Sequence, residues 1–182
     1  MENLFDKWKL KIPKYSEIHK ELFLSLSQKL GANPVKQANL GKHFATNYEL
    51  YIYAFFLGVY RDEFVPISDD HKKVDFSYNI QAWGSKTTIS SRKDFTALQE
   101  NMFIALVAKT EIDIIALEKG EQDEDEVVKL LIKSMEAYTN GGLILIKEKL
   151  EENQNYFLQP TSFLEMILES GTESIENLEA ES

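Results

Sequence analysis

Asp69, Asp70 and His71, with Asp75 close behind, set oxygen and imidazole donors within one short stretch. Such donors suit a hard or borderline divalent cation, and with one the stretch would serve a hydrolase or another metal-dependent enzyme. The order is not that of an EF-hand loop, which needs acids at alternate positions, a central Gly and a closing Glu. A solvated loop is the plainer reading. Glu148, Glu151 and Glu152 raise a second chemistry, since glycosidases set two carboxyl groups across the bond they cut. Here Glu148 and Glu152 fall four apart on one helix face, opposite a Leu143, Ile146, Leu150 stripe, which reads as solvated surface. Asp123–Glu126 read the same way.

Gly84-Ser85-Lys86-Thr87 ends like a phosphate-binding loop. Such a loop has a Gly directly before the Lys and another five residues earlier, where this chain has Ser85 and Ile80. The stretch still gathers Lys86, Arg92 and Lys93 with five hydroxyl residues from Ser85 to Ser91. Together with Lys42, Lys72 and Lys73, these cations form the candidate set for phosphate or nucleic-acid contact, against a reading as ordinary polar surface. Tyr48, Tyr51, Tyr53, Phe55, Phe56 and Tyr60 could stack bases or line a pocket, but aromatics this dense more often build a core. His19 and His43 stand singly, with no nucleophile at dyad spacing. No catalytic residue is assigned and no cofactor is expected.

A chain of 182 residues must position these side chains, and it is long enough to bury a sizeable core without metal or disulfide. It has no Cys, which removes thiolate, redox and Cys–zinc chemistry. With 43% hydrophobic residues, disorder over most of the length is excluded. The first residues, MENLFDKWKLKIP, hold no apolar run of signal-peptide length, so the expected setting is cytoplasmic and no membrane is involved. The net charge of −10 is unevenly spread. Residues 1–109 carry 15 Lys and Arg against 12 Asp and Glu, whereas residues 110–182 carry 5 against 18. Overall acidity argues against promiscuous nucleic-acid binding.

Apolar periodicity is mostly helical. Lys7, Lys9 and Lys11 alternate with Trp8 and Leu10, which reads as a short extended arm. Ser16 is placed to cap a helix to about Leu30, with Ile18, Leu22 and Leu26 four apart and Gly31 as the stop. Residues 44–60 are apolar all round and uncharged from Leu50 to Tyr60, so they form a central helix surrounded by protein. From Val74 to Ala82 apolar and polar residues alternate, as in a strand. With a turn at 83–86 and a return at 87–90, the segment 74–90 is a short β-hairpin or else an ordered loop packed by its own aromatics. Asp94 suits the cap of a helix to Lys109, and a short helix then runs to Gly120. The next starts at Asp123–Glu126 and ends at Asn140-Gly141-Gly142, after which Leu143, Ile146 and Leu150 begin an antiparallel partner. Ser162 with Glu165 forms a capping box for the last helix.

The expectation is a mainly α, single-domain bundle of about six helices over residues 1–170, with 171–182 as an acidic, flexible tail. The stretch GKHFATNYELYIYAFFLGVY resembles the small helical proteins of bacterial DNA phosphorothioation over about thirty residues. That resemblance implies a nucleic-acid-associated component of a DNA-modification or defence system, and it transfers no functional residue. The residues themselves favour a non-enzymatic accessory or adaptor protein that works through a protein partner or self-association.

Overall fold

The Thr46 hydroxyl accepts a hydrogen bond from the Glu49 amide (3.3 Å) and so caps a helix over Asn47–Tyr60. Leu50, Tyr51, Ala54, Phe55 and Leu57 within it are buried, as a helix apolar on every face requires. The computed structural model describes residues 3–27, 44–84, 94–159 and 161–168. Among them the elements are α1 (Leu4–Lys9), β1 (Lys14–Ser16), α2 (Lys20–Leu26), α3 (Asn47–Tyr60), β2 (Lys73–Asp75), α4 (Thr96–Lys109), α5 (Ile114–Glu118), α6 (Glu124–Glu152) and α7 over 162–168. The fold is mainly α-helical, with one small antiparallel ribbon. A single buried cluster runs from Trp8 to Met166.

The core is α3 lying on α6, and the two backbones approach closely because glycine sits at the crossing. A Cβ on Gly58 would run into the Tyr138 carbonyl, 2.8 Å from its carbon. A Cβ on Gly142 would meet Ala54 in the same way, at 2.7 Å. Asn140-Gly141-Gly142 therefore does not end a helix: it lies inside a single helix of 29 residues, and the antiparallel pair expected around it does not exist. Glycine inside a helix costs about 1 kcal/mol against Ala. Here that cost is offset by dense contact between two helices that side chains would hold apart.

Of the expected extended arm at 7–11, residues 7–9 are instead the end of α1, with Leu10 as its C-cap and Lys11 beyond it. Asn3 caps the helix at its start, accepting from the Asp6 amide at 2.9 Å. Helical spacing puts Phe5 and Trp8 together against Phe103 of α4, at centroid distances of 5.2 and 5.6 Å. Lys7 then pairs with Glu124 and Lys9 with Asp6. The alternation was a side effect of burying one tryptophan between lysines. The Ser16 side chain makes no capping bond; a one-turn 3-10 helix, Glu17–His19, leads into α2, and residues 28–43 lie outside the described residues.

The strand pattern at 74–82 is realised only in β2, which pairs with β1 in the register Lys14↔Asp75, Tyr15↔Val74, Ser16↔Lys73. At Ser77 the chain turns through a positive φ of 60°. Residues 76–84 then form an ordered loop packed by its own aromatics. Phe76 is its hub, with Tyr51 at 4.4 Å and Trp83 at 5.5 Å between centroids. Gln99 of α4 clamps the loop, donating from one amide nitrogen to the carbonyls of Ile80 (3.0 Å) and Trp83 (2.9 Å). The return at 87–90 lies outside the described residues. Asp113 and Asp123 cap α5 and α6. At α7 it is the Thr161 hydroxyl, and not Ser162, that meets Glu165, at 2.6 Å.

Candidate functional site

Three segments converge beside the N-terminal half of α6. The strip Lys11–Lys14 enters β1, the extended residues 64–67 leave α3, and α6 supplies the floor from Val128 to Ala137. Both walls are hydrogen-bonded to that floor. The Lys14 amide donates to Glu136 Oε1 at 2.7 Å, and the Val65 amide donates to the Ala137 carbonyl at 3.2 Å. The second bond is reachable because Gly141 has no side chain: a Cβ there would lie 2.9 Å from the Glu63 carbonyl carbon. One helical turn on, the Asn140 amide nitrogen donates to the Val65 carbonyl at 3.0 Å.

The walls enclose an open groove of about 790 Å³. Lys11, Lys14, Lys73, Lys129 and Lys133 surround it, against Asp69 and Glu136. Lys73 is paired with Asp69 at 2.7 Å, and Lys14 stands 4.0 Å from Asp75. Among the described residues Lys11, Lys129 and Lys133 carry no ion pair. Between these cations the lining is apolar. Ile12, Phe64 and Leu130 are each exposed by nearly half, although they are large hydrophobic side chains. Burial pushes the Glu136 carboxyl above its usual range, opposed by the Lys14 amide and by the charges of Lys14 and Lys73. Past Leu130 the sign reverses. Glu111, Glu121, Asp123 and Glu126 line a smaller cleft of about 280 Å³. The acidic surface of the second half of the chain and the basic groove thus share one leucine.

The residues singled out for metal binding do not converge. Asp69 faces Lys73, Asp70 meets Ser68, and Asp75 faces Lys14. His71 is exposed. Among the described residues no group of three or more His, Asp or Glu side chains could hold a metal ion. Of the phosphate-contact set, Lys72 is paired with Glu17 at 3.2 Å and Lys73 borders the groove. Lys42, Lys86, Arg92 and Lys93 lie outside the described residues, as does His43. Glu151 and Glu152 are exposed and pair with Lys147 and Lys149 on their own helix. The aromatic set of α3 is mainly core, with Tyr51 and Phe55 fully buried and only Tyr60 exposed.

Lys11, Lys14, Lys129 and Lys133 were not legible as a group. The one signal was local: Lys129 and Lys133 stand four apart on a helix, beside Leu130 on the same side. The chain matches no protein-family model, no curated protein and no solved structure. Among the described residues no helix is long and apolar enough to cross a membrane.

Proposed function

We propose that this chain is a helical accessory protein acting through protein contacts, and that its groove receives an acidic segment of a partner studded with apolar residues. One observation carries this reading: three lysines without ion pairs ring exposed Ile12, Phe64 and Leu130 on a chain whose net charge is −10. Lysines alone would suit phosphates as well. The apolar lining favours a protein segment, whose aliphatic side chains would be buried there at about 25 cal/mol per Å², whereas a sugar–phosphate backbone offers little to fill it. The groove is held open by backbone hydrogen bonds, so little ordering cost is added on binding. A cytoplasmic setting goes with this reading.

The test is fluorescence anisotropy with a labelled peptide in which Glu and Leu alternate in pairs, run beside labelled single- and double-stranded DNA. Binding of the peptide, weakened at least tenfold by Lys129→Glu with Lys133→Glu and also by Leu130→Ser, is the expected result. If DNA binds instead, with log affinity falling linearly with log salt and no response to Leu130→Ser, the chain is a nucleic-acid-associated component. A rise in melting temperature with Mg, Mn, Zn or Ca ions would favour the metal-enzyme reading.

A further inference from the structure

Resting on that reading of the groove, we infer that the chain carries its own occupant: residues 169–182, which dock in the groove of the same molecule and compete with the partner. Charge complementarity is the first argument. The segment ESGTESIENLEAES holds five Glu and no Lys, Arg or His. The groove holds five lysines against two acids. The second argument is pattern. Ile175 and Leu178 stand three apart between Glu173, Glu176 and Glu179, so each apolar residue is flanked by carboxylates. That is the complement of Ile12, Phe64 and Leu130 set among lysines.

The third argument is reach. Met166 of α7 lines a cleft with Leu57 and Arg61 at the end of α3. The same cleft is lined by Leu145 to Glu152, so the last described turn of the chain lies along α6 beyond the end of the groove floor at Ala137. Fourteen residues extend at most about 3.4 Å each, or roughly 48 Å, which is more than the roughly 36 Å along α6 from Glu152 back to Val128 at about 1.5 Å per residue.

The functional consequence is a threshold. A tethered segment acts at an effective concentration on the order of 1 mM. With an intrinsic Kd of about 0.1 mM, it would lower the apparent affinity of a competing partner about tenfold. Only partners that outbid it would bind, and a change in its charge would open the groove.

The experiment uses full-length chains. The wild type is compared with a variant carrying Glu173→Gln, Glu176→Gln, Glu179→Gln and Glu181→Gln. The probes are the labelled Glu/Leu peptide and a labelled peptide of residues 169–182. The Gln variant is expected to bind both probes about tenfold more tightly than the wild type, and to lose both when Lys129→Glu and Lys133→Glu are added. Carbodiimide treatment of the wild type should join Glu173–Glu181 to Lys11, Lys129 or Lys133 by amide bonds within monomers, at a yield independent of concentration. Equal affinity of the Glu/Leu peptide for wild type and Gln variant overturns the inference and leaves the groove reading standing. Cross-links confined to dimers also overturn it, in favour of exchange between copies. If neither probe binds the Gln variant, the groove reading itself fails.

Discussion

Gly142 of α6 faces the carbonyl group of Ala54 in α3 so closely that a single added methyl group would lie 2.7 Å from the carbonyl carbon. Gly142→Ala is therefore a test of the whole arrangement. In an isolated helix the change would gain about 1 kcal/mol of propensity. Against this stands overpacking in a core with no free side chain to move, which typically costs 1–3 kcal/mol, roughly, and more where backbone must shift. The second effect wins. Gly142→Ala and Gly58→Ala are each expected to lower the urea midpoint by an amount equivalent to at least about 2 kcal/mol. Gly120→Ala, with open space around it and a φ of 73°, should cost only the roughly 1 kcal/mol of a left-handed backbone. Equal midpoints for wild type and Gly142→Ala would mean that α3 and α6 do not cross this closely.

Asn140 stands one residue before the glycine pair, and it fixes the state of a buried histidine. Its amide nitrogen is committed to the Val65 carbonyl, so its oxygen faces His19 Nε2 at 2.8 Å. That oxygen can only accept, which places the ring proton on Nε2 and leaves Nδ1 bare and without a partner among the described residues. Burial holds the His19 pKa below the ordinary 6.5, outweighing the hydrogen bond to Asn140, with the charge of Lys147 acting in the same direction as burial. Because the folded pKa is depressed, the unfolded chain binds more protons below about pH 6.5. Stability should fall as pH drops from about 6.5 through the lower folded pKa. His19→Gln can keep the bond to Asn140 and cannot titrate. Chemical denaturation between pH 7 and pH 5 should show a shallower acid limb for this variant. Parallel curves would remove His19 from the acid response.

These two sites show where the sequence was readable and where it was not. The central helix followed from Leu50–Tyr60 alone, because a run without charge can only sit inside protein. The start of the helix at Asp123–Glu126 followed from local chemistry, whereas the caps themselves, Asp113 and Asp123, came from the structure. The glycine pair after Asn140 misled for a physical reason: locally it signals a turn, and only the approach of α3 and of Glu63 explains it as a contact. The alternation at 74–82 misled because its apolar residues do not share one face: Phe76 and Ile80 are buried, while Tyr78 between them is exposed. The groove was illegible because its lysines come from three separate parts of the chain, and nothing in the spacing of Lys11, Lys73 and Lys129 brings them together.

Gln99 is the main polar tie between α4 and the loop at 76–84. It is buried, and its side-chain amide donates to the Trp83 carbonyl and, beside the Trp83 amide, to the Ile80 carbonyl. Gln99→Leu preserves volume and removes the donor. The buried Trp83 carbonyl then loses its partner, at roughly 1–3 kcal/mol when no water replaces it, while the Ile80 carbonyl keeps the Trp83 amide at 3.0 Å. The expected result is a loss of about 2 kcal/mol in unfolding free energy, with a changed near-ultraviolet signal from Trp83, whose ring packs on Tyr48 of α3 and on Phe76 of the same loop. A large stability loss without a change at Trp83 would place the damage in α4 and not in the loop.

Glu136 gives a second pH response of opposite sign, and it lies in the groove itself. Burial raises its pKa above the ordinary 4.5, while the Lys14 amide and the lysine charges pull it down. A carboxyl with a raised folded pKa favours folding below its unfolded pKa, and that contribution is lost as pH rises through the folded value. Glu136→Gln retains an acceptor for the Lys14 amide and removes the charge. It should be at least as stable as the wild type at pH 7, where the wild type holds a half-buried carboxylate. It should also bind an acidic peptide more tightly, because the groove loses one of its two negative charges. Denaturation and peptide anisotropy at pH 7 check both parts together. A variant that is less stable and binds more weakly would show that the Glu136 charge, and not merely its oxygen, holds β1 on α6.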